Sequence, residues 1–189
     1  MASALIMAFD LATLTGYAVG RIGEKPTFET WRLKRPEQDA EIAFGNLTCK
    51  IRDQFQFHGV PDFFCYEAPI SPGALRQEAV AFGEDGKATA VKAVRRTNSK
   101  TTYMLIGLAA VAAGVPRAWG VSPRKLSVTT VRKAFLGTGY PPNPKEATLR
   151  ACRDMGHDVW DDNAADALAL WYYQAGVTRL EQKVAHAIA

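Results

Sequence analysis

The stretch DDNAADALALWYYQAG, residues Asp161–Gly176, places carboxylates in the first turns of a helix that is otherwise apolar. Its Ala and Leu content predicts a helix buried in the core of an α/β domain. Asp162 and Asp166 are four residues apart, so they lie on one face of that helix. Asp161 or Asp162 could simply cap the helix, since an aspartate at a helix start accepts backbone N–H groups and complements the helix dipole. Asp166 lies too far along the helix to cap it and therefore needs another partner.

Five short apolar segments predict the strands of a sheet. The segments ALIMAFDL, GYAVGRI and TFETWRL follow one another at strand-like spacing and indicate a three-stranded meander. PDFFCYEAP indicates a fourth strand and PRAWGVS a fifth. With the helices between and after them, these strands predict an α/β domain.

Four further segments have the pattern of helices, in addition to the last helix, which is expected to end at Gly176. TTYMLIGLAAVAAG predicts a buried helix terminated by Gly114, and PRKLSVTTVRKAFLG predicts a basic helix. NPKEATLRACRDMG predicts a helix capped by Asn143, with Glu146 at the capping-box position. Residues 39–57 predict an amphipathic helix whose apolar residues are Ile42, Phe44, Leu47, Ile51 and Phe55.

Length and composition predict one domain. The chain has 189 residues, of which 48% are hydrophobic, enough for one ordinary core. We expect one domain over residues 1–178, with a basic insertion at about 70–100 that is mobile or partly helical, and a C-terminal helical tail over 179–189. The net charge of +4 is compatible with an anionic partner.

The cysteines and the apolar segments predict a cytoplasmic protein without a membrane partner. Cys49, Cys65 and Cys152 lie far apart in the sequence and indicate neither a disulfide framework nor a zinc knuckle. The start MASALIMAFD lacks the basic leader of a signal peptide. No segment approaches the roughly 18 consecutive apolar residues expected of a membrane span.

Acidic residues fall where buried elements are expected to reach the surface. Asp10 ends the first strand and Glu67 ends the fourth. If these strands are neighbours and the last helix packs across their ends, the two acids converge with Asp162 and Asp166 in one cleft and repel one another. Mg²⁺ prefers a few carboxylate oxygens and would relieve that repulsion, and two such ions can hold the attacking and leaving oxygens of a phosphodiester. Turn formation and capping remain open for the same acids.

Several segments, in this order along the chain, resemble the RuvC-type Holliday junction resolvases, particularly the divergent forms carried by bacteriophages: FDLATLTGYAV, YEAP, VSPRK, VRKAFLGTG, PKEATLRA and DNAADALAL. The resemblance covers roughly residues 5–175, and AADALAL with Asp10 and Glu67 is its most specific part. It implies an RNase H-like α/β fold with a central five-stranded mixed sheet flanked by helices. It also implies a homodimer, two Mg²⁺ or Mn²⁺ ions per active site and paired nicks on four-way DNA junctions. A phage-encoded protein would act in the cytoplasm of a bacterial host.

The resemblance transfers a set of catalytic acids to this chain. Asp10, Glu67 and Asp166 match the metal-binding acids of the family. The fourth ligand of the family lies three positions before its last aspartate, which is Asn163 here, with Asp162 one residue earlier. Asn163 would offer a neutral carbonyl oxygen and hold the second metal weakly, so we favour Asp162 as the fourth catalytic acid.

Three other positions bear on the resemblance. Lys145 matches a basic residue of the family near its active site, although by itself it is an ordinary lysine in the first turn of a helix. His157 lies close to the acids in sequence and either assists proton transfer or is a solvated loop residue. The family has Pro-Gly after its first aspartate, where this chain has Leu11-Ala12.

Two basic groups are candidates for contact with DNA phosphates, with a solvated charged surface as the alternative for each. The first lies in the insertion that follows Glu67, and the second lies in the predicted basic helix. Phe82, within the insertion, is either a wedge between stacked bases or packed under its own loop. The candidates are Arg76, Lys87, Lys92, Arg95, Arg96, Lys100, Arg124, Lys125, Arg132 and Lys133, with Lys145 beside the acids.

Three other functions compete with junction resolution. A debranching nuclease of phage DNA processing would use the same acids with looser selectivity. A DNA-binding protein that has lost cutting is suggested by Asn163 and opposed by the presence of Asp10, Glu67 and Asp166. An actin-like or sugar-kinase ATPase is suggested by DLATLTG, but that class needs a second phosphate loop and a far longer chain.

Overall fold

The computed structural model describes residues 3–69, 76–82, 88–95 and 99–188. Its strands, in chain order, are β1 Leu5–Asp10, β2 Leu14–Arg21, β3 Thr27–Arg32, β4 Phe63–Glu67, β5 Arg76–Phe82, β6 Ala88–Arg95 and β7 Arg124–Leu126. Its helices are α1 Ala40–His58, α2 Ser99–Ala118, α3 Val128–Leu136, α4 Pro144–Asp154 and α5 Asp162–Ile188.

A five-stranded sheet in the order β3-β2-β1-β4-β7 forms the centre of the molecule. The meander β1–β2–β3 is antiparallel, while β4 runs parallel to β1 and β7 runs parallel to β4. Because β1 and β4 are parallel neighbours, their carboxyl ends lie at the same edge of the sheet. The predicted α/β fold with a mixed five-stranded sheet flanked by helices is confirmed.

Helices cover both faces of the sheet, which explains why β1 is apolar at nearly every position. Met7 and Phe9 pack with α1 and α2 on one face. Ile6 and Ala8 pack with α3, α4 and α5 on the other. All four side chains are fully buried, so the strand that ends in Asp10 is held rigidly from both sides.

Two predicted boundaries around α2 are wrong. The helix does not end at Gly114 but continues to Ala118, and the chain turns at Gly120, which has a left-handed φ of 78°. The predicted fifth strand PRAWGVS therefore belongs partly to α2. The strand that does complete the sheet is β7, three residues long, which pairs with β4 from Cys65 to Glu67.

The basic helix is shorter than predicted, and the buried face of α1 differs from the predicted one. Arg124 and Lys125 belong to β7, and α3 begins only at Val128. In α1 the predicted apolar residue Ile42 is 45% exposed. The buried side of α1 consists of Ala43, Leu47, Ile51 and Phe55.

Most of the described part of the insertion is a two-stranded antiparallel ribbon, and its last two residues, Ser99 and Lys100, begin α2. Its strands are β5 and β6, with Arg76 opposite Arg95 in the register. At the other end of the chain, α5 does not stop at Gly176 but continues to Ile188 as one helix. Gln174 and Thr178, both buried, are hydrogen-bonded across one turn of α5 at 3.0 Å, and Arg124 pairs with Glu181 further along. Asn143 precedes α4 as predicted, but its side chain makes no capping hydrogen bond.

The α2 helix is long and apolar enough to cross a membrane by length and composition, which are weak evidence on their own. In the structure it packs on α1. A Cβ atom on Gly107 would lie 2.1 Å from the ring of Phe44, so the glycine makes room for that ring.

Candidate active site

The acids at the edge of the sheet are positioned by the register of four strands. Asp10 on β1 is paired with Gly16 on β2, and Gly16 is paired with Thr30 on β3, so these residues form one row across the sheet. On the other side of β1, Phe9 is level with Tyr66, which places Glu67 beside Asp10. The Glu67 carboxylate lies close enough for its charge to add to the effect of burial in raising the pKa of Asp10.

The first turn of α5 lies across this row of residues. Asp161 caps the helix, because its Oδ1 atom accepts the Ala164 N–H at 3.0 Å. The same oxygen accepts the Thr30 hydroxyl at 2.6 Å, which ties the helix start to β3. Over β2 the helix backbone comes so close that a Cβ atom on Gly16 would lie 1.9 Å from the carbonyl oxygen of Asn163. The cap and the glycine together place the next turn of α5 over the end of β1.

Asp162 and Asp166 consequently join Asp10 and Glu67 in one acidic cluster. Burial, with the charges of Glu67 and Asp166 beside it, raises the pKa of Asp10 well above its ordinary range. Burial likewise raises the pKa of Asp166 to about 6, with the charges of Glu67 and Asp162 adding to the shift. These acids are therefore adjacent and poorly solvated, which is costly unless a cation or proton compensates.

Two cations face the cluster. Lys145, at the start of α4, forms an ion pair with Asp162, which lowers the pKa of Asp162 and raises that of the lysine. The charge of Arg132 on α3 opposes the rise in the pKa of Asp166. The Arg132 Nε atom is buried and has no hydrogen-bond partner. Thr148, buried on α4, donates its hydroxyl to the Pro144 carbonyl oxygen at 2.9 Å and lies beside Asp166.

The sequence predicts Arg132 as part of the second basic group for contact with DNA phosphates and does not reveal its position beside the acidic cluster. The sequence contains no local signal for its position, because α3 reaches Asp166 only through the packing of α3 on α5. Lys133, its neighbour on α3, is exposed.

The two candidates for the fourth ligand point to different surroundings. Asp162 pairs with Lys145 and contributes to the electrostatic field at both Asp10 and Asp166. The side-chain amide of Asn163 instead donates to the capping residue Asp161 at 3.5 Å. The geometry thus favours Asp162, which stays the predicted fourth acid.

The other predicted residues are distributed over the molecule. Arg124 pairs with Glu181 at 3.3 Å and lies over the ring of Phe63. His157 is buried and lies 2.7 Å from the hydroxyl of Tyr172, so it is neither a solvated loop residue nor part of the acidic cluster. Lys100 and Lys125 are exposed, at the start of α2 and on β7. The ribbon strands β5 and β6 contain Arg76, Phe82, Lys92 and Arg95, whereas Lys87 and Arg96 lie outside the described residues.

The donor set fits a divalent cation. All four acids offer carboxylate oxygens, and a cation would offset the repulsion by Glu67 and Asp166 that, with burial, raises the pKa of Asp10. Among the described residues, however, no three His, Cys, Asp or Glu side chains are already arranged to hold a metal ion. The acids are therefore electrostatic neighbours whose side chains would turn toward an ion as it binds.

Comparison with known proteins identifies the fold. Thermus thermophilus RuvC superposes with a TM-score of 0.61 at 19% sequence identity, over 94% of this chain and 96% of that one. The chain has the RuvC fold. T. thermophilus RuvC in complex with a Holliday junction substrate superposes with a TM-score of 0.65 at 15% identity, over the same shares of the two chains. The yeast mitochondrial Holliday junction resolvase Ydc2 gives 0.49 at 12% identity, over 96% of this chain and 84% of that one.

No family model matches the sequence, and no curated protein matches it. At 15–19% identity the two RuvC matches establish the RuvC fold and leave the activity to be argued from the acidic cluster.

Proposed function

We propose that the chain is a metal-dependent endodeoxyribonuclease that resolves four-way DNA junctions by paired nicks. The observation that carries the proposal is the meeting of Asp10, Glu67, Asp162 and Asp166 at the carboxyl ends of two parallel strands of a RuvC fold. The match to RuvC in complex with a Holliday junction substrate supports the choice of substrate.

The acids would hold two Mg²⁺ or Mn²⁺ ions, which when bound activate water and stabilise the leaving oxygen of a phosphodiester. Asp10, whose pKa is raised, would give up its proton on binding, because its carboxylate oxygens are then needed as ligands. Asp162 and Asp166 lie on α5, so the four acids come together only when α5 packs on β2. The buried position of Asp10 and Asp166 excludes bulk water from one side of the scissile phosphate.

The two cations would contribute to phosphate binding. Lys145 is 73% exposed while paired with Asp162, so its ammonium can reach a phosphate without leaving the cluster. Arg132 is half-buried beside Asp166, and its Nε atom has no protein partner. Both would neutralise charge on the DNA backbone next to the scissile position.

Binding of the rest of the junction would fall to the basic ribbon and to the exposed cations. The ribbon follows β4 in the chain, and its strands include Arg76, Lys92 and Arg95. Lys87, Arg96, Lys100, Lys125 and Lys133 would add phosphate contacts, with Phe82 as a wedge at the crossover.

A homodimer suits this substrate, because two symmetry-related strands must be cut at a fixed separation. The exposed apolar side of α2 is a candidate interface. Tyr103 and Ile106 on α2 are 55% and 47% exposed. We place the dimer in the cytoplasm, of a bacterial host if a phage encodes it.

The proposal is tested with labelled four-way junction, Y-shaped DNA and linear duplex, each with Mg²⁺ and with EDTA. Paired, metal-dependent nicks on the junction alone are the expected result. Cutting of every branched form would instead indicate a debranching nuclease. Binding without cutting in Mg²⁺ and Mn²⁺ alike would refute the enzyme and leave a junction-binding protein.

A further inference from the structure

The segment between α4 and α5 holds one tryptophan outward on a firmly anchored backbone. His157 and Val159 are buried, at 3% and 1% exposure, whereas Trp160 is 77% exposed. Lys25 Nζ donates to the Gly156 carbonyl oxygen at 2.6 Å, and the Arg153 Nε donates to the Val159 carbonyl oxygen at 2.8 Å. Trp160 is therefore exposed because the backbone on its N-terminal side is held in place by buried side chains and hydrogen bonds.

Arg153 packs against the ring of Trp160. The guanidinium carbon of Arg153 lies 4.8 Å from the ring centroid, a cation–π contact. Because Arg153 is fixed by its bond to Val159, it holds the ring while most of the ring surface stays open to solvent. A flat, open indole beside a guanidinium has the chemistry of a stacking platform with a phosphate-binding group next to it.

Trp160 stands at the rim of the acidic cluster. It directly precedes Asp161, whose carboxylate is bonded to Thr30 in the row of residues that contains Asp10. It is two residues from Asp162, so their Cα atoms are at most about 8 Å apart. DNA held at the acids would pass within reach of the indole.

We infer that Trp160, held by Arg153, binds an unpaired nucleobase by stacking when DNA lies at the acidic cluster. The inference rests on the proposed function for the presence of branched DNA and adds a base contact near the cut. An indole stacks on any base, since every base has a π face. Bases at the crossover of a junction can leave the helical stack, which makes them the ligand class that this ring fits. Trp160 is then a positioning residue that sets the register of the strand relative to the acids.

The experiment measures junction affinity in EDTA, so that no strand is cut. A series of junctions carries one abasic site each, at successive positions on both sides of the crossover, and is titrated with the parent protein and with Trp160→Ala. We expect one position at which loss of the base weakens binding by the parent about 5- to 100-fold, as the loss of one stacked base does. At that position Trp160→Ala should bind the intact and abasic junctions equally.

Two further variants separate stacking from other causes. Trp160→Phe keeps a stacking face and should retain most of the sensitivity to the abasic site. Phe57→Ala removes an equally exposed aromatic ring, 82% exposed at the end of α1, and should behave as the parent.

The inference alone is overturned if the parent binds the junction but an abasic site weakens binding by the same factor in the parent and in Trp160→Ala at every position. The two changes would then act independently, and the ring would not stack on the missing base. The inference is overturned as well if Trp160→Ala changes the oligomeric mass and leaves every DNA affinity unchanged, since the ring would then contact protein. If the parent protein bound no branched DNA at all, both this inference and the proposed function would be refuted.

Discussion

Gly16 on β2 touches the backbone of Asn163 on α5, and the contact leaves no room for a side chain. A Cβ atom at residue 16 would lie 1.9 Å from the Asn163 carbonyl oxygen and 3.1 Å from the Ala164 nitrogen. Because the neighbour is backbone in a helix, it cannot move aside as a flexible side chain would. The two acids of α5 reach Asp10 only because residue 16 is glycine.

Gly16→Ala is therefore expected to lift the start of α5 from the sheet. We expect a loss of about 1–3 kcal/mol in the free energy of unfolding, typical of overpacking, and a fall in cleavage rate of at least tenfold. Gly45→Ala is the matched control, since a Cβ atom at that position in α1 meets nothing within 4 Å. Alanine there should stabilise the helix by up to about 1 kcal/mol. Denaturant melts of both variants, together with junction cleavage, make the comparison; equal stability of the two alanine variants would contradict the contact.

Asp166→Asn should abolish cleavage and stabilise the metal-free protein at neutral pH. The pKa of Asp166 in the fold is about 6, above its ordinary 3.8, so the folded state favours the protonated acid. The ionised acid therefore destabilises the fold, and this penalty appears as the pH rises from about 4 through 6. We expect the variant to gain on the order of 2 kcal/mol at pH 7 in EDTA and nothing below pH 4.

Thermal melts at both pH values check the stability of Asp166→Asn, and junction binding in EDTA should stay close to that of the parent. Asp158→Asn, at an exposed position in the same region, is the control and should gain little at either pH. A variant that cuts as fast as the parent would remove Asp166 from the active site.

Asp162→Ala should reduce the metal-dependent rate far more than Asn163→Ala. The carboxylate of Asp162 lies in the field of the other acids and of Lys145, whereas the amide of Asn163 is directed to Asp161. Titration of the cleavage rate with Mg²⁺ should show a raised metal requirement for Asp162→Ala alone, by at least tenfold. The reverse order of the two variants would assign the fourth ligand to Asn163.

Arg132→Ala should shift the pH dependence of cleavage to higher pH. Arg132 opposes the rise in the pKa of Asp166, so its removal raises that pKa further and delays ionisation of the acid. The acidic limb of the pH–rate profile should move up by a measurable fraction of a pH unit, with a lower plateau from the lost phosphate contact. Lys133→Ala, the exposed neighbour, should leave the limb where it is. A limb that moves equally in both variants would mean that overall charge, and not the contact with Asp166, sets it.

The sequence errors around the fifth strand have a common physical cause. The segment PRAWGVS is short and apolar, a pattern that fits a buried strand and the end of a buried helix equally well. The actual strand, β7, has only three residues, and Arg124 and Lys125 give it no apolar pattern. Its pairing with β4 makes it a strand, and no local propensity reports that pairing.

Gly114 and Gly176 were expected to end helices, and both lie inside them. A glycine in a helix costs about 1 kcal/mol, which packing of the surrounding turns can offset. Around Gly176 the burial of Ala175 and Thr178 supplies that packing. The turn that follows α2 does contain a glycine with positive φ, Gly120. The sequence alone does not distinguish Gly120 from Gly114 and Gly176, because the difference between them lies in the backbone conformation.

The sequence by itself determined the two buried strands that end in Asp10 and Glu67, and the apolar helix that contains Asp162 and Asp166, because each depends on local periodicity and side-chain type. Only the tertiary structure decided that these elements meet, that Gly16 admits the α5 backbone, that Arg132 faces Asp166 and that Trp160 points outward at the rim. Those relations join residues far apart along the chain, and their energies arise from close packing and from charges brought together out of water. Neither exists until the sheet and its helices have assembled.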